Sequence, residues 1–501
     1  MSIRDRHPMT HRNTAPAFAG RLSPAKLTVA SALLMAVSTG LAMASPPALS
    51  LYTIRQFQGA SFASSSALGG GFIPPDMGGA VGGGYVAQMV NEQFSIYTQS
   101  GQLATPAVSL NSFYTSLGVN PGASTNPDIS DPRIIFDPTT QRWYSSAITV
   151  QNATNNTFVL AVSKNQNPLD GFVGYSIPAP TGVFADFPTL GINNGAVTLS
   201  SNNFNASGNY VNSSVISIPK AQLLSGTSSL SNISYFNNNT GQFGFTPEAV
   251  TSTAAGNTTT ILSTNFNAPG LFASTITQNQ GSAASLNLIS GSNFSGALPQ
   301  TPTQPGGTPY DGGDNRLSSG AYQAGNYIYT TNAVLNGPRD QIQWAVLNAT
   351  SDALINSGFV SLANQDLTYA SISGNASGTF VLGFNGSGSS NNISDYGTVC
   401  SVISGSCNTP SLLFSGLASN YDLAGKNGLV RWGDYSWTAP DVNNQNYFWL
   451  FQEYPIANNN WGTVITEVAV PEPGSFALLL TGVIGLLVLA RRRKAVRIIR
   501  S

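Results

Sequence analysis

Short runs of apolar residues recur along this chain, and polar residues stand at the start of each run. Acidic residues, arginines and a tyrosine are among the residues at these starts. These starts are spaced about 55–70 residues apart. Carboxylates and arginines brought close together can pair, bind a cation, or hold a carboxylate ligand in a bidentate contact. The candidate ligand-binding residues are Asp76, Asp131, Arg133, Asp186, Asp314, Arg316, Arg431 and Asp434. Glu248 and Tyr435 stand at equivalent starts and are weak catalytic candidates.

The scarcity of histidine and cysteine excludes the commonest hydrolase designs. Both histidines, His7 and His11, lie in a basic leader that we expect to be removed. A mature chain without histidine cannot form a Ser-His-Asp triad or a usual zinc site. The two cysteines, Cys400 and Cys407, have a spacing that suits a disulfide across a hairpin in an oxidising compartment. No cofactor and no metal site is predicted.

The elements that must position these residues are β-strands. Runs of Val, Ile, Tyr, Phe, Thr and Trp are broken by Gly, Asn, Pro and Ser, which is typical of all-β folds. Each start is followed by four such runs, and about seven units occur. The pattern predicts a seven-bladed β-propeller, with a six-bladed ring, a series of β-sandwiches or a β-helix as alternatives.

A propeller would gather the repeat starts, because the first strand of each blade lines the central channel. The starts would therefore meet around one mouth of the channel. A ring must also join its ends, so we expect the strand at 462–468 to lie in the same sheet as the strand at 85–90, or in the adjacent one. The Pro- and Gly-rich segment 299–313 is interpreted as a loop between blades.

The composition argues against a polyanionic partner. Only 8% of the residues are charged and the formal net charge is −1. Phosphate binding requires clustered Lys and Arg, so no nucleic-acid binding is expected.

Both ends of the chain have the composition of targeting segments. Basic residues, an apolar run and Ala42-Met43-Ala44 predict a signal peptide over 1–44. A linker with an N-terminal strand is expected at 45–71, and the propeller at 72–468. At the other end, 469–501, Pro471-Glu472-Pro473 precedes a predicted transmembrane helix at 474–490 and then Arg491-Arg492-Arg493.

This C-terminal segment resembles the PEP-CTERM sorting signal of Gram-negative bacteria; an ordinary C-terminal anchor is the alternative. The resemblance implies export across the inner membrane and transient anchoring by the C-terminal helix. Exosortase, a membrane protease, would then process the tail for delivery to the cell surface or the extracellular space.

The body resembles a group of secreted bacterial propellers that is distantly similar to sialidases. The similarity rests on Pro74-Pro75-Asp76, Asp131-Pro132-Arg133 with Trp143, Asp186-Phe187-Pro188, and the closing segment Arg431-Trp432-Gly433-Asp434-Tyr435. In sialidases arginines hold a sugar carboxylate, and a tyrosine activated by a glutamate attacks. We expect a non-enzymatic surface or matrix protein that binds or organises exopolysaccharide or another envelope component. A glycan-active hydrolase that uses the channel-mouth residues is the alternative.

Overall fold

The structure is a computed structural model. It describes residues 49–119, 129–150, 154–227, 229–236, 243–254, 256–266, 268–278, 287–289, 291, 294–424 and 430–470. The predicted signal peptide, the Pro471-Glu472-Pro473 motif and the predicted helix at 474–490 lie outside these residues. Within them, no helix is both long and apolar enough to cross a bilayer.

The described strands form seven antiparallel sheets, each made of strands consecutive in sequence except at the ring closure. Blade 1 contains β2 (Gly78–Gly82), β3 (Tyr85–Val90), β4 (Gln93–Thr98) and β5 (Val108–Ser109). Blade 2 contains β6 (Ile129–Asp137), β7 (Arg142–Thr149), β8 (Thr157–Ser163) and β9 (Phe172–Pro178). Blade 3 contains β10 (Phe184–Ile192), β11 (Ala196–Phe204), β12 (Tyr210–Pro219) and β13 (Ser234–Phe236).

The remaining blades repeat this order. Blade 4 contains β14 (Phe245–Ala249), β15 (Thr258–Asn265), β16 (Ala268–Thr277) and β17 (Asn287–Leu288). Blade 5 contains β18 (Tyr322–Ala324), β19 (Tyr327–Asn336), β20 (Arg339–Asn348) and β21 (Leu354–Val360). Blade 6 contains β22 (Asp366–Gly374), β23 (Thr379–Gly388), β24 (Asn391–Ser401), β25 (Ser406–Cys407) and β26 (Ser411–Phe414). Blade 7 contains β27 (Trp437–Pro440), β28 (Tyr447–Ala457), β29 (Asn460–Ala469) and β1 (Tyr52–Ser61).

The seven sheets form a propeller ring, so the predicted fold is confirmed and the six-bladed alternative is excluded. The helical elements between the strands are short: α1 (Phe62–Ser66), α2 (Leu110–Ser116), α3 (Lys220–Leu224) and a 3₁₀ turn (Pro168–Asp170).

The ring closes through the N-terminal strand. β1 pairs with β29 and completes blade 7, so the first and last described strands share one sheet. β29 and β3 lie in adjacent blades, as expected, and the Gln88 side-chain amide donates to Thr463 Oγ1 at 2.9 Å between them. Closure of this kind covers the edge that β29 would otherwise expose.

The core lies between the blades. The largest fully buried side chains include Trp143, Trp344, Trp432, Trp449 and Trp461. Trp143 meets Phe136 edge-on, with 5.0 Å between ring centres, and packs in a cluster shared by blades 1 and 2. Burying aromatic faces between sheets holds the blades in fixed positions around the axis, which in turn fixes the inner strands.

The predicted cysteine pair forms a disulfide within blade 6. Cys400 of β24 faces Cys407 of β25 across a tight hairpin. The bond closes a short loop at the outer edge of the blade and takes no part in the channel.

Candidate functional site

The inner strands begin with a shared irregularity that positions the channel-mouth residues. A non-glycine residue adopts a positive φ near the start of five blades: Asp76 (45°), Asp131 (58°), Phe187 (50°), Thr246 (51°) and Tyr369 (50°). Where these residues lie inside β6, β10, β14 and β22, the pairing with the second strand shifts register at the same point. Such bulges bend a strand and redirect its side chains, and they are common next to functional sites.

In blade 3, the position of the bulge shows that the repeat start lies one residue later than the sequence pattern indicates. The sequence pattern matched Asp186 with Asp131, but the structural equivalent of Asp131 is Phe187, since both have the left-handed conformation. Both residues precede a proline, so aligning the prolines would have given the correct register, whereas aligning the aspartates did not.

Arg133 is buried among residues of several blades. Its side chain is 1% exposed, and its guanidinium carbon lies 3.4 Å from the centre of the Tyr435 ring. Nε donates to the Pro188 carbonyl at 3.1 Å, and Nη1 donates to the Ser318 carbonyl at 3.4 Å. The residue therefore joins blades 2, 3, 5 and 7, and it acts as a plug between the two faces of the ring.

The two weak catalytic candidates lie beside this plug and are buried. The Tyr435 hydroxyl donates to the Pro132 carbonyl at 3.2 Å, and burial raises the pKa of Tyr435 well above its usual value. Burial raises the pKa of Glu248 to about 8, and the nearby Arg133 opposes this increase. A tyrosine nucleophile needs a glutamate within hydrogen-bond reach, but the hydroxyl of Tyr435 is engaged by backbone.

A cavity of about 270 Å³ opens above the plug, at the mouth where the inner strands begin. Its charged and tyrosine lining consists of Asp186, Asp311, Asp314, Arg316, Tyr369, Arg431 and Asp434. Five of these seven residues are among the ligand-binding residues predicted from the sequence. We call this cavity the mouth pocket.

The arginines of the mouth pocket are each paired with carboxylates. Arg316 Nε and Nη2 contact the two carboxylate oxygens of Asp314 at 2.7 and 2.6 Å, a bidentate pair. Arg431 Nη2 donates to Asp434 Oδ1 at 2.6 Å, and its Nε lies 3.4 Å from Asp311 Oδ2. Bidentate and charge-assisted contacts of this kind fix the positions of both partners.

Two further predicted aspartates, Asp76 and Asp131, do not line the mouth pocket, and neutral groups donate hydrogen bonds to them. Asp76 is 3% exposed and accepts from Asn91 Nδ2 at 2.7 Å and from the Asp434 backbone N–H at 2.8 Å. Burial, and then the charge of Asp434, raise the pKa of Asp76 well above its usual value. Burial, and then the charge of Asp186, raise the pKa of Asp131 to about 7. The pKa of Asp186 itself is raised by burial, and Arg316 opposes that shift.

The segment that carries Arg431, Asp434 and Tyr435 rests on buried polar residues that the sequence analysis missed. Glu453 accepts the Gly433 backbone N–H at 2.8 Å, and Trp432 Nε1 donates to Asn385 Oδ1 at 3.0 Å. Asn385 in turn donates to Asp395 at 2.7 Å. These residues stand inside β23, β24 and β28, where sequence periodicity marks only a strand.

Asp311 and Tyr369 are the lining residues that sequence reasoning did not name. Asp311 belongs to the segment 299–313, which was interpreted as a loop, and the Asp311 backbone N–H donates to the Val430 carbonyl at 2.8 Å. The Tyr369 hydroxyl donates to the Asp311 carbonyl at 2.9 Å. Thr368-Tyr369 precedes a short apolar run at the spacing of the other starts, and this signal could have identified the second residue.

The described residues contain no group of three or more His, Cys, Asp or Glu side chains arranged to hold a metal ion. Carboxylates of the mouth pocket instead face arginines and backbone N–H groups. The pocket therefore offers hydrogen-bond acceptors and guanidinium donors side by side.

The fold and this site define a seven-bladed β-propeller with a plugged channel and a charged mouth pocket. Residues 469–494 match the model of the PEP-CTERM protein-sorting motif. The motif marks the chain as an exported protein that exosortase processes at the membrane and that is sorted to the cell surface.

Comparison with solved structures gives weak similarities to other propellers. An ACO/RPE65 chimera is 12% identical with a TM-score of 0.40, and the match covers 67% of this chain and 71% of the chimera. A Synechocystis apocarotenoid oxygenase mutant is 8% identical with a TM-score of 0.33, covering 79% of this chain and 68% of the oxygenase. A search of curated proteins found no match. Similarity this weak carries no information about activity.

Proposed function

We propose that this protein is a non-enzymatic component of the cell surface or extracellular matrix, and that its mouth pocket binds one sugar residue of an exopolysaccharide. The observation that carries the proposal is the pairing of donors and acceptors in a polar cavity of about 270 Å³. Export and surface sorting place such a pocket where exopolysaccharide is found. The propeller then serves as a rigid support that presents the pocket.

The hydrogen-bonding groups of the pocket suit a hydroxyl-rich ligand. Neighbouring carboxylate and guanidinium groups can accept from one sugar hydroxyl and donate to the next. Arg316 and Arg431 are fixed by their carboxylate partners, so little side-chain entropy would be lost on binding. Preorganised polar groups of this kind provide orientation and specificity in small-molecule sites.

The charge balance favours a neutral sugar over an acidic one. Four aspartates line the mouth pocket and two arginines oppose them: Asp186, Asp311, Asp314 and Asp434 against Arg316 and Arg431. An added sugar carboxylate would meet arginines that are already paired and several nearby acids. Arg133, the third arginine of the sialidase-like pattern, lies in the plug and does not line the pocket.

The non-enzymatic proposal is supported by the positions of Glu248 and Tyr435. Neither residue lines the mouth pocket, and the Tyr435 ring is covered by Arg133. The carboxylates that do line the pocket include three that are paired with arginine. Paired carboxylates are poor nucleophiles, since their charge is compensated.

One observation favours the alternative, a glycan-active hydrolase. Asp186 lines the same cavity as the Arg431-paired Asp434, and burial raises the pKa of Asp186. Glycosidases use one protonated and one ionised carboxyl group in this way. In this alternative, Asp186 is the general acid and Asp434 the base or nucleophile.

A glycan array probed with the processed protein tests the proposal. We expect binding to neutral hydroxyl-rich glycans and at least about tenfold weaker binding to glycans that end in a uronic or sialic acid. Release of sugar from the bound glycans would support the hydrolase instead. Absence of binding to any neutral glycan would contradict the proposed function.

A further inference from the structure

A second cavity, of about 520 Å³, lies where the inner strands end, on the other side of the Arg133 plug. Apolar side chains from several blades line it, including Val81, Ile135, Ile192, Ile372 and Trp437. Its lining also includes exposed residues such as Gly325 and Ala376, so the cavity reaches the surface. We call it the apolar cavity. Its volume is in the range of natural small-molecule sites.

The apolar cavity offers an occupant no unengaged charge among its described lining residues, in contrast to the mouth pocket. Two charged residues occur among its described lining residues, and both are engaged within the protein. Asp137 pairs with the buried Lys220 at 2.8 Å. Asp441 accepts from Trp449 Nε1 at 3.1 Å and from the Asn443 backbone N–H at 2.8 Å. An anionic occupant would find no cation there except the buried Lys220, which is already paired, and a cationic one would meet only Asp441, which already accepts several hydrogen bonds; either would have to lose its hydration.

The floor of the apolar cavity is formed by the indole of Trp437. Arg133 lies 5.8 Å from the centre of that ring, on the side of the plug. A Cβ atom at Gly320 would approach the ring to 2.8 Å, so only glycine allows the indole to lie against this part of the wall. The flat floor and the small wall residues leave room for a planar group.

One polar side chain beside the apolar cavity lacks a partner. Ser319 is 3% exposed and lines the cavity, and its Oγ makes no hydrogen bond among the described residues. A buried hydroxyl without a partner is unfavourable, and a polar group of an occupant would satisfy it. This residue adds one unused hydrogen-bonding position to a mainly apolar site.

We propose that the apolar cavity binds an uncharged, mainly apolar small molecule that has a planar ring system and one hydrogen-bonding group directed to Ser319. The planar part packs on Trp437, and the strand ends enclose the remainder. This site is separate from the mouth pocket, and the inference is independent of the proposed glycan binding.

The test compares two fluorescent probes that share one aromatic framework. N-phenyl-1-naphthylamine is uncharged with a single N–H, and 1-anilinonaphthalene-8-sulfonate is its sulfonated counterpart. With detergent-free processed protein, we expect saturable binding of the uncharged probe, one per chain, and at least about tenfold weaker binding of the sulfonate. Absence of saturable binding, or equal binding of the two probes, would overturn the proposal.

A pair of matched variants locates the probe. Ala376 is exposed and lines the apolar cavity, whereas the adjacent Ser377 is exposed and does not line it. Ala376→Trp should weaken binding of the uncharged probe at least about tenfold, and Ser377→Trp should leave it unchanged. Equal effects of the two substitutions would place the probe elsewhere. Because both positions are at the surface, and because the two-probe comparison uses the unmodified protein, the test does not depend on one variant folding.

Discussion

The Arg133 guanidinium lies 3.4 Å from the centre of the Tyr435 ring, although the two residues come from blades 2 and 7. Phe187 adds a second aromatic face, 5.1 Å from the same guanidinium. This contact divides the channel into a charged mouth pocket and an apolar cavity. One end of the channel is therefore lined mainly by charged side chains and the other mainly by apolar ones. Arg133 lies between the two cavities.

Replacing Arg133 should destabilise the ring. Arg133→Met removes a desolvated cation–π contact, worth about 2 kcal/mol, and leaves the Pro188 and Ser318 carbonyls without their donors, each a cost of about 1 kcal/mol or more. We expect the free energy of unfolding to fall by about 4 kcal/mol in chemical denaturation. Arg142→Met is the control, because among the described residues Arg142 donates only to the neighbouring Gln141 carbonyl, at 3.4 Å. Equal stability of the two variants would show that the plug does not hold the blades.

Stability should decrease as pH rises from about 5 to 9. Burial raises the pKa of Asp131 and of Asp340 to about 7, and that of Glu248 to about 8. The folded chain therefore keeps protons that the unfolded chain has released. The stabilisation is complete below the unfolded pKa near 4 and is lost as pH rises through the folded values, at about 1.4 kcal/mol per pH unit for each group.

Glu248→Gln isolates one of these groups. Glutamine cannot ionise, so the variant lacks the part of the pH dependence that Glu248 contributes. The denaturation midpoint should therefore fall less steeply with pH above about pH 6 than in the unmodified protein. Asp170→Asn, an exposed substitution on the 3₁₀ turn of blade 2, should leave the slope unchanged. A Glu248→Gln profile that overlays that of the unmodified protein would contradict the assignment of this pH dependence to Glu248.

The sorting motif predicts a specific defect. Changing Pro471, Glu472 and Pro473 to alanine removes the processing cue but leaves the apolar run and Arg491-Arg492-Arg493 to stop transfer. We expect the protein to be exported yet retained in the inner membrane, as measured by cell fractionation. Arrival of the triple-alanine protein at the cell surface in wild-type amounts would mean that the tail is only an anchor.

The ring and its inner strands could be predicted from the sequence because each blade starts with a polar residue before a short apolar run. Five inner strands have a residue with positive φ near their start, and Asp131 is one of them. The one-position error at Asp186 arose because a bulge is not visible in composition. Asp311 was missed because it comes from a segment without periodicity.

The contacts that define the site could not be predicted, because they join residues far apart in the chain. Tyr435 reaches the Pro132 carbonyl across a separation of 303 residues. The apolar cavity had no sequence signal either, since it is formed by strand ends that resemble those of any buried strand.

Titration of the processed protein with purified exopolysaccharide, by calorimetry together with an assay for new reducing ends, tests the central claim most directly. We predict saturable binding without hydrolysis. Asp311→Asn, within the mouth pocket, should weaken binding at least about tenfold, whereas the same change at the exposed Asp170 should have no effect. Absence of binding, equal binding by both variants, or accumulation of reducing ends would contradict the account.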